Sequence, residues 1–331
     1  MLQAHDQEAL LAWYNAKKRD LPWRRTNEPW HILLSEILLQ QTQVSRGVVY
    51  YERMVTTFPT LNSMAEAPVD AVLKAWEGAG YYSRARRLHQ LAQCVMLPKD
   101  QGGFGGELPT TAEALLSLPG IGPYTAAAVA SMAHGEAVAC VDGNIRRVMA
   151  RTTAQPSPTP KAIQRWADSV LMKEHAGDWN QALMELGATV CTPKRVQCKV
   201  CPLSSSCAGQ SNPERFPTPN RQSTKDLVLT ACVKLAQDGT PLLEQRPMEG
   251  LFAGLWGPVY HEGKIVPEEE HVHCGVVKHA LSHRKLTVHV VVMKGQTETT
   301  GMDVSSVALS SLDEKVLALA RQTMEHQAYN A

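Results

Sequence analysis

The sequence predicts a mainly α-helical protein that carries a smaller α+β domain at its C-terminal end. Apolar residues recur at helical spacing through the first part of the chain, and they alternate with polar residues, as in β-strands, through the last part. Between these parts, residues 212–225 contain three prolines and almost no apolar side chains. We therefore expect a helical core at 1–211, an interdomain connector at 212–225 and a second domain at 226–331.

Composition and charge place the chain among ordinary globular proteins, since 44% of its 331 residues are hydrophobic and 20% are charged. It contains no apolar run of about 18 residues, and its N-terminus lacks the features of a secretory signal. We therefore expect a cytoplasmic protein with no membrane partner. Residues 1–225 hold 24 Lys and Arg against 19 Asp and Glu, whereas residues 226–331 hold 9 against 13. The basic first part weakly favours a polyanionic ligand.

Residues 115–148 predict two helices joined by a tight hairpin, with an acidic residue downstream. The glycines Gly120 and Gly122 form the turn, and Pro123 is tolerated at the first position of the second helix, which Gly135 ends. Because the free amides of a helix N-terminus carry partial positive charge, this turn can hold a phosphate. Taken alone, an ordinary helical hairpin explains the pattern at least as well.

Two carboxylates are candidates for catalysis. Glu36 lies in a predicted helix at 30–44 that is otherwise apolar, where desolvation would raise its pKa and keep a proton available near neutral pH. An arbitrary helical Glu would more often lean into solvent or pair with an Arg. Asp142 suits the N-cap of a helix at 143–148, and a cap would also hold its carboxylate in place.

Four of the eight cysteines lie close together in a C-x6-C-x2-C-x5-C pattern, at Cys191, Cys198, Cys201 and Cys207. Four thiolates within 17 residues can enclose one metal centre. The spacing alone does not choose between tetrahedral zinc and an iron–sulfur cluster. The other four cysteines are scattered among apolar neighbours, so we expect them to be packing residues.

In the last part of the chain, residues 285–293 predict a strand with one apolar face, formed by Leu286, Val288, Val290 and Val292. Ser311 and Glu314 have the spacing of a capping box and predict a final amphipathic helix.

Four motifs occur in the order found in the MutY-type adenine DNA glycosylases: SEILLQQTQV at 35–44, LPGIGPYTA followed by VDGN at 118–144, the cysteine loop, and LLEQRPMEGLFAGLWGPVY at 242–260. The chain resembles that family, which belongs to the helix-hairpin-helix superfamily. The resemblance implies a two-lobed, all-helical glycosylase core, with a six-helix lobe at 29–134 and an iron–sulfur lobe formed by 1–28 and 135–211. It also implies a 4Fe-4S cluster on the four cysteines and a Nudix-like lesion-recognition domain at 226–331. The metal-binding helix of Nudix hydrolases is missing, so we expect recognition there and no hydrolysis.

The resemblance also implies roles for individual residues in the core. Glu36 would protonate adenine at N7, and Asp142 would stabilise or capture the oxocarbenium-like sugar before water completes the reaction. Tyr124 occupies the position of the lysine with which the lyase branch attacks the sugar. A phenol cannot form an imine, so we expect base excision without strand cleavage. The remaining implied contacts are Asn144 beside the sugar, Gln41 and Tyr81 in the base stack, Glu185 near adenine, and Gly120 and Gly122 on the DNA backbone.

One turn of the C-terminal domain departs from the family, whose Phe-Ser-His turn recognises the oxidised guanine. Here the matching residues are Leu281, Ser282 and His283, so the aromatic ring is missing but both polar residues are present. The Ser282 hydroxyl could distinguish 8-oxoguanine, which presents a donor at N7, from guanine, which presents an acceptor. The stretch could equally be a plain hairpin turn before the strand at 285–293. The glycine-rich loop at 98–109 has no assigned role.

We therefore expect a monomeric enzyme, associated with the bacterial nucleoid, that flips adenine out of duplex DNA and excises it opposite 8-oxoguanine or guanine. Two alternatives remain. Tyr124 and the C-terminal domain argue against a bifunctional lyase similar to endonuclease III. Glu36 and Asp142 argue against a non-catalytic iron–sulfur protein that only binds DNA.

Overall fold

The computed structural model describes residues 2–219 and 224–330, which form two compact units. The first unit consists of residues 2–66 and 87–219, and the second of residues 67–86 and 224–330. Residues 220–223 of the predicted connector lie outside the described residues. The segment 67–86, which comes early in the chain, is thus part of the same unit as the C-terminal sheet.

The part of the chain before residue 220 is helical, as predicted. Residues from α1 and from α8 to α11 share one hydrophobic core, which includes Leu10, Ile145, Trp179 and Leu183. The helices are α1 (Ala4–Lys17), α2 (Pro29–Leu39), α3 (Val44–Thr57), α4 (Leu61–Glu66), α5 (Val69–Ala75), α6 (Ser83–Met96), α7 (Ala112–Leu115), α8 (Pro123–His134), α9 (Gly143–Thr152), α10 (Pro160–Ser169) and α11 (Ala176–Thr189).

The predicted helix at 30–44 was wrong at its C-terminal end, because α2 stops at Leu39 and α3 begins at Val44. Gln41 adopts a φ of 58°, a left-handed conformation that a right-handed helix cannot contain. The break separates an almost fully buried helix from the exposed Gln41.

The ends of α8 and the start of α9 confirm the predictions made from the hairpin motif. Helix α8 begins at Pro123 after Gly122, and it ends at Gly135, whose φ of 70° requires glycine or another residue that tolerates left-handed backbone. Asp142 is the N-cap of α9, since its side chain accepts a hydrogen bond from the Ile145 amide. Together these turns fix the backbone on both sides of the predicted carboxylate.

The second unit contains a five-stranded mixed sheet. Its strands run in the order β2-β1-β7-β6, with β5 also paired to β1, and β1 and β7 are parallel. The four predicted apolar side chains of β7 are buried in the core beneath the final helix. The strands are β1 (Lys225–Leu235), β2 (Pro241–Leu242), β3 (Glu244–Gln245), β4 (Trp256–Gly257), β5 (Val259–Glu262), β6 (His271–Ala280) and β7 (Arg284–Met293), and β3 pairs separately with β4.

The final helix, α12 (Ser311–Asn330), forms as predicted, but its capping box lies one residue earlier than predicted. Ser310 and Asp313 exchange the two hydrogen bonds of the box, so the assignment to Ser311 and Glu314 was wrong. Asp313 is fully buried and pairs with Arg246, whereas Glu314 is exposed. The buried ion pair between Asp313 and Arg246 therefore determines which of the two Ser–acid pairs caps α12.

Among the described residues, no helix combines the length and the apolar character needed to cross a bilayer.

Candidate active site and metal centre

A cavity of about 520 Å³ in the first unit brings six of the predicted site residues together. Its walls come from α2, from the first turn of α8, from the start of α9 and from α11, together with the segment between α1 and α2. The six predicted residues are Glu36, Gln41, Tyr124, Asp142, Asn144 and Glu185.

Glu36 is buried among apolar side chains of α2, with only 6% of its surface exposed. Burial raises its pKa to about 7, and the negative charge of Asp142 acts in the same direction. The hydroxyl of Tyr124 donates a hydrogen bond to Glu36 Oε2, which partly offsets the effect of burial. Near neutral pH this carboxyl group is therefore divided between its protonated and ionised forms, as a general acid requires.

Asp142 is held by hydrogen bonds to both of its carboxylate oxygens. Its Oδ1 accepts from the Ile145 amide at 2.7 Å, and its Oδ2 accepts from Asn144 Nδ2 at 2.6 Å. Burial raises the pKa of Asp142, while these two hydrogen bonds favour the anion and oppose the increase. The carboxylate consequently faces the cavity in a fixed orientation.

Tyr124 occupies the first turn of α8 and reaches Glu36 across the cavity. Burial and the neighbouring Glu36 charge raise the pKa of Tyr124 well above its ordinary value. The phenol therefore stays protonated and acts as a donor toward Glu36.

Glu185, which the resemblance places near adenine, is bound by two arginines. Arg19 donates to both of its carboxylate oxygens at 2.7 Å, and Arg24 Nη2 donates at 2.8 Å. Burial alone would raise the pKa of Glu185, but these charged donors outweigh it and lower the pKa to about 2. Glu185 is thus a permanent anion within an arginine pair. Sequence reasoning missed Arg19 and Arg24, because their partner Glu185 lies more than 160 residues away in the chain.

The hairpin glycines lie outside this cavity, in the turn before α8. Gly120 has a φ of 78°, and a Cβ atom there would lie 2.8 Å from Cβ of Arg87. Gly122 has nothing within 4 Å of an added Cβ, so its surface is open to a ligand. Gly120 is therefore required for close packing against Arg87, whereas Gly122 leaves space at the surface.

The other predicted DNA contacts lie together in the second unit. The hydroxyls of Tyr81 and Ser282 are 2.5 Å apart, and Ser282 Oγ is 3.4 Å from His283 Nδ1. Tyr81 has a φ of 48° and is 40% exposed, which presents its ring at the surface. The structure thus places a candidate wedge beside the two candidate lesion contacts.

The four clustered cysteines line one small cavity in the first unit, closed on one side by α9. Among the described residues, no three His, Cys, Asp or Glu side chains are grouped so as to hold a single metal ion. Four sulfurs around a common cavity form the donor set that an iron–sulfur cluster requires. The residues present therefore fit such a cluster.

Arg147 connects the two sites within the first unit. Its Nη2 donates to Asn144 Oδ1 at 2.8 Å, and its Nε donates to the carbonyl oxygen of Cys191 at 2.8 Å. The turn that holds Asp142 is therefore linked to the first cysteine of the metal loop.

Comparison with known proteins yields a consistent set of relatives. Residues 34–172 match the HhH-GPD superfamily of base excision DNA repair proteins. The chain is 35% identical to the human adenine DNA glycosylase, over 88% of this chain and 68% of that protein. It is 42% identical to the adenine DNA glycosylase of Mycobacterium tuberculosis over 59% of this chain and 64% of that protein.

Two solved structures have related folds. A thermostable thymine-DNA glycosylase matches with a TM-score of 0.56 and 30% identity, over 62% of this chain and 94% of that chain. A non-covalent complex of endonuclease III with DNA matches with a TM-score of 0.56 and 20% identity, over 65% of this chain and all of that chain. At 20% identity, the second likeness shows a shared fold and nothing more.

Proposed function

Because this chain belongs to the adenine DNA glycosylases of the HhH-GPD superfamily, which are base excision repair enzymes, we propose that it hydrolyses the N-glycosidic bond of adenine opposite 8-oxoguanine or guanine. The substrate is duplex DNA, from which a monomer of the enzyme flips the adenine into the cavity. The observation that carries the proposal is the pair of carboxyl groups in that one cavity, the buried Glu36 and the half-buried Asp142.

Glu36 supplies the proton in this mechanism. A neutral purine is a better leaving group than its anion, so protonation at N7 weakens the glycosidic bond. The pKa of about 7 leaves a large protonated fraction at neutral pH, and the phenol of Tyr124 holds the carboxyl group in position.

Asp142 acts on the sugar. As the bond breaks, positive charge develops on the ring, and an oriented carboxylate in a site with little water stabilises that charge or captures it covalently. Its two hydrogen bonds, from Ile145 and Asn144, prepare this orientation before the substrate arrives. Water then completes the hydrolysis.

A hydrolytic outcome is also supported by what lines the cavity. None of the described residues that line it is a lysine. The hairpin motif also has Tyr124 at the position that a lysine occupies in the lyase branch. Arg19 and Arg24 are the cations that line the cavity, and a guanidinium does not form a Schiff base. We propose that these two arginines, with Glu185 fixing them, form the wall of the adenine pocket.

The remaining contacts hold the DNA. The amides at the start of α8 bind a backbone phosphate beside Gly120 and Gly122, while Gln41 and Tyr81 enter the base stack. A 4Fe-4S cluster, held by Cys191, Cys198, Cys201 and Cys207, would stabilise the loop between these cysteines when bound. Lys194, Arg195 and Lys199 make that loop basic, which suits contact with DNA phosphates.

A single-turnover assay on three duplexes tests this function. We expect excision of adenine opposite 8-oxoguanine and opposite guanine, no release of thymine glycol, and strand breakage only after alkali is added. Cleavage without alkali, or covalent trapping by borohydride, would instead identify a lyase. A lack of product on every duplex would identify a protein that only binds DNA.

Lesion preference should depend on the turn in the second unit. We predict that Ser282→Ala combined with His283→Ala lowers the preference for 8-oxoguanine over guanine, because the N7 donor of the lesion loses its acceptor. Leu281→Phe should leave that preference unchanged or raise it, since stacking on an aromatic ring contributes about 1–3 kcal/mol per base.

The preference is measured as the ratio of equilibrium affinities for duplexes with adenine opposite 8-oxoguanine and opposite guanine. Tyr81→Phe is the matched variant for the same patch, because it keeps the ring and removes only the hydroxyl that contacts Ser282. It should reduce the preference less than the double variant does. An unchanged affinity ratio in the double variant would place lesion recognition elsewhere.

A further inference from the structure

Arg151, in the last turn of α9, is buried beside the cysteine cavity with 3% of its surface exposed. Its Nη1 donates to the sulfur of Cys191 at 3.3 Å and to the carbonyl oxygens of Cys191 and Thr192 at 3.0 and 2.8 Å. Its Nε donates to the carbonyl oxygens of Pro213 and Phe216 at 2.9 and 3.0 Å. The guanidinium of Arg151 therefore holds the two segments on either side of the cysteine loop, residues 191–192 and 213–216, against α9.

The charge of Arg151 has no carboxylate partner among residues 2–219 and 224–330. Two partly buried arginines differ in this respect, since Arg24 pairs with Glu185 and Arg246 pairs with Asp313. An isolated charge is costly to bury, so a buried cation needs a nearby negative charge. The nearest groups that can supply it are the cysteine sulfurs, which become thiolates when they ligate metal.

A second cysteine also touches Arg151. The sulfur of Cys207 lies 3.5 Å from the carbonyl oxygen of Arg151, at the opposite end of the cysteine loop from Cys191. The same residue thus contacts the first and last of the four proposed ligands, one through its side chain and one through its main chain.

We propose that Arg151 is the fixed counter-cation of the cysteine-held cluster, and that its bond to Cys191 Sγ sets both the reduction potential of the cluster and the rate at which iron is lost. This inference rests on the proposed cluster. Arg151 is a positioning residue, because it is buried and would act through the cysteine ligands. One-electron reduction by an electrode adds one negative charge to the cluster, and a neighbouring cation stabilises that more negative state.

The test compares purified Arg151→Gln and Arg151→Lys with wild type and with a matched control. Arg146→Gln removes the same charge from an exposed position on the same helix and away from the sulfurs. Each protein is assayed for iron and sulfide, for the midpoint potential of the cluster without DNA, and for the rate of iron release to a chelator.

We expect Arg151→Gln to shift the midpoint potential to more negative values and to release iron about tenfold faster, the low end of the roughly 10–100-fold loss of metal affinity that follows when a partner of the metal ligands is changed. Arg146→Gln should match wild type in both measurements. Arg151→Lys should keep the potential nearer to wild type, because the charge remains. It should still release iron faster than wild type, because an ammonium group cannot make all the hydrogen bonds that the planar guanidinium makes to Cys191, Thr192, Pro213 and Phe216.

Wild-type values in Arg151→Gln would overturn the inference. If that variant does not fold, iron release from Arg151→Lys at the wild-type rate would also overturn it. Wild-type protein that contains zinc, or no iron and sulfide, would refute the cluster itself. A cluster-containing wild type that excises no adenine would refute the enzymatic proposal and leave the Arg151 comparison intact.

Discussion

Replacing Glu36 with glutamine is expected to lower single-turnover excision of adenine at least about 100-fold, the usual cost of removing a general acid. Glutamine keeps the size and polarity of the side chain but cannot deliver a proton. DNA affinity should stay close to wild type, because Glu36 lines the cavity, whereas the proposed backbone contacts at Gly120 and Gly122 lie outside it. Glu28→Gln makes the same change at an exposed position at the start of α2 and should leave the rate unchanged.

The pH profile provides an independent check of Glu36. In wild type the excision rate should fall as pH rises through about 7, where the buried carboxyl group loses its proton. Because the pKa of Glu36 is raised from 4.5 to about 7 in the folded protein, its ionisation also lowers the stability of the fold as pH rises from 4.5 through about 7. Glu36→Gln should therefore be at least as heat-stable as wild type at pH 8. A near-normal rate in this variant would show that another group supplies the proton.

Replacing Asp142 with asparagine is expected to reduce excision on the order of 100-fold to 1000-fold, the usual effect of removing an oriented charge that stabilises a transition state. Asparagine is as good an N-cap as aspartate, so the Ile145 amide keeps its partner and α9 should remain intact. Thermal unfolding close to wild type, together with a low single-turnover rate, is the expected pair of results.

Asp142→Ala separates capping from chemistry. It should lose activity to the same extent, but it should also lower the stability of the fold by about 1 kcal/mol, because the cap is removed. If Asp142→Asn kept most of the activity while Asp142→Ala lost it, the residue would act through the helix cap and not through its charge.

The sequence predicted the local features of the site well. The turn from Gly120 to Pro123, the stop at Gly135 and the cap at Asp142 depend on residues within a few positions of one another, and all three form as expected. The burial of Glu36 followed from the apolar residues on either side of it.

What the sequence could not predict depends on residues far apart in the chain. The partners of Glu185 lie 161 and 166 residues away, and Tyr124 lies 88 residues from Glu36. The sequence gives no sign that α2 ends at Leu39, because residues 40–43 contain no glycine or proline, the residues that usually mark the end of a helix.

The capping box was ambiguous for a different reason. Ser310 with Asp313 and Ser311 with Glu314 have the same spacing, and only burial of Asp313 against Arg246 distinguishes them. A choice between two equivalent local patterns therefore needed a tertiary contact.

The position of residues 67–86 in the second unit affects how chimeras of this protein and its relatives must be built. Within the second unit, Lys74 Nζ donates to the carbonyl oxygen of Val307, the Tyr82 hydroxyl donates to the carbonyl oxygen of Leu309, and the Leu309 amide donates to Glu77. A chimera that exchanges only the C-terminal domain with a relative would present foreign residues to all of these groups. Successful grafts should need three crossover points, one on each side of residues 67–86 and one before the C-terminal part, so that both segments of the second unit are exchanged together.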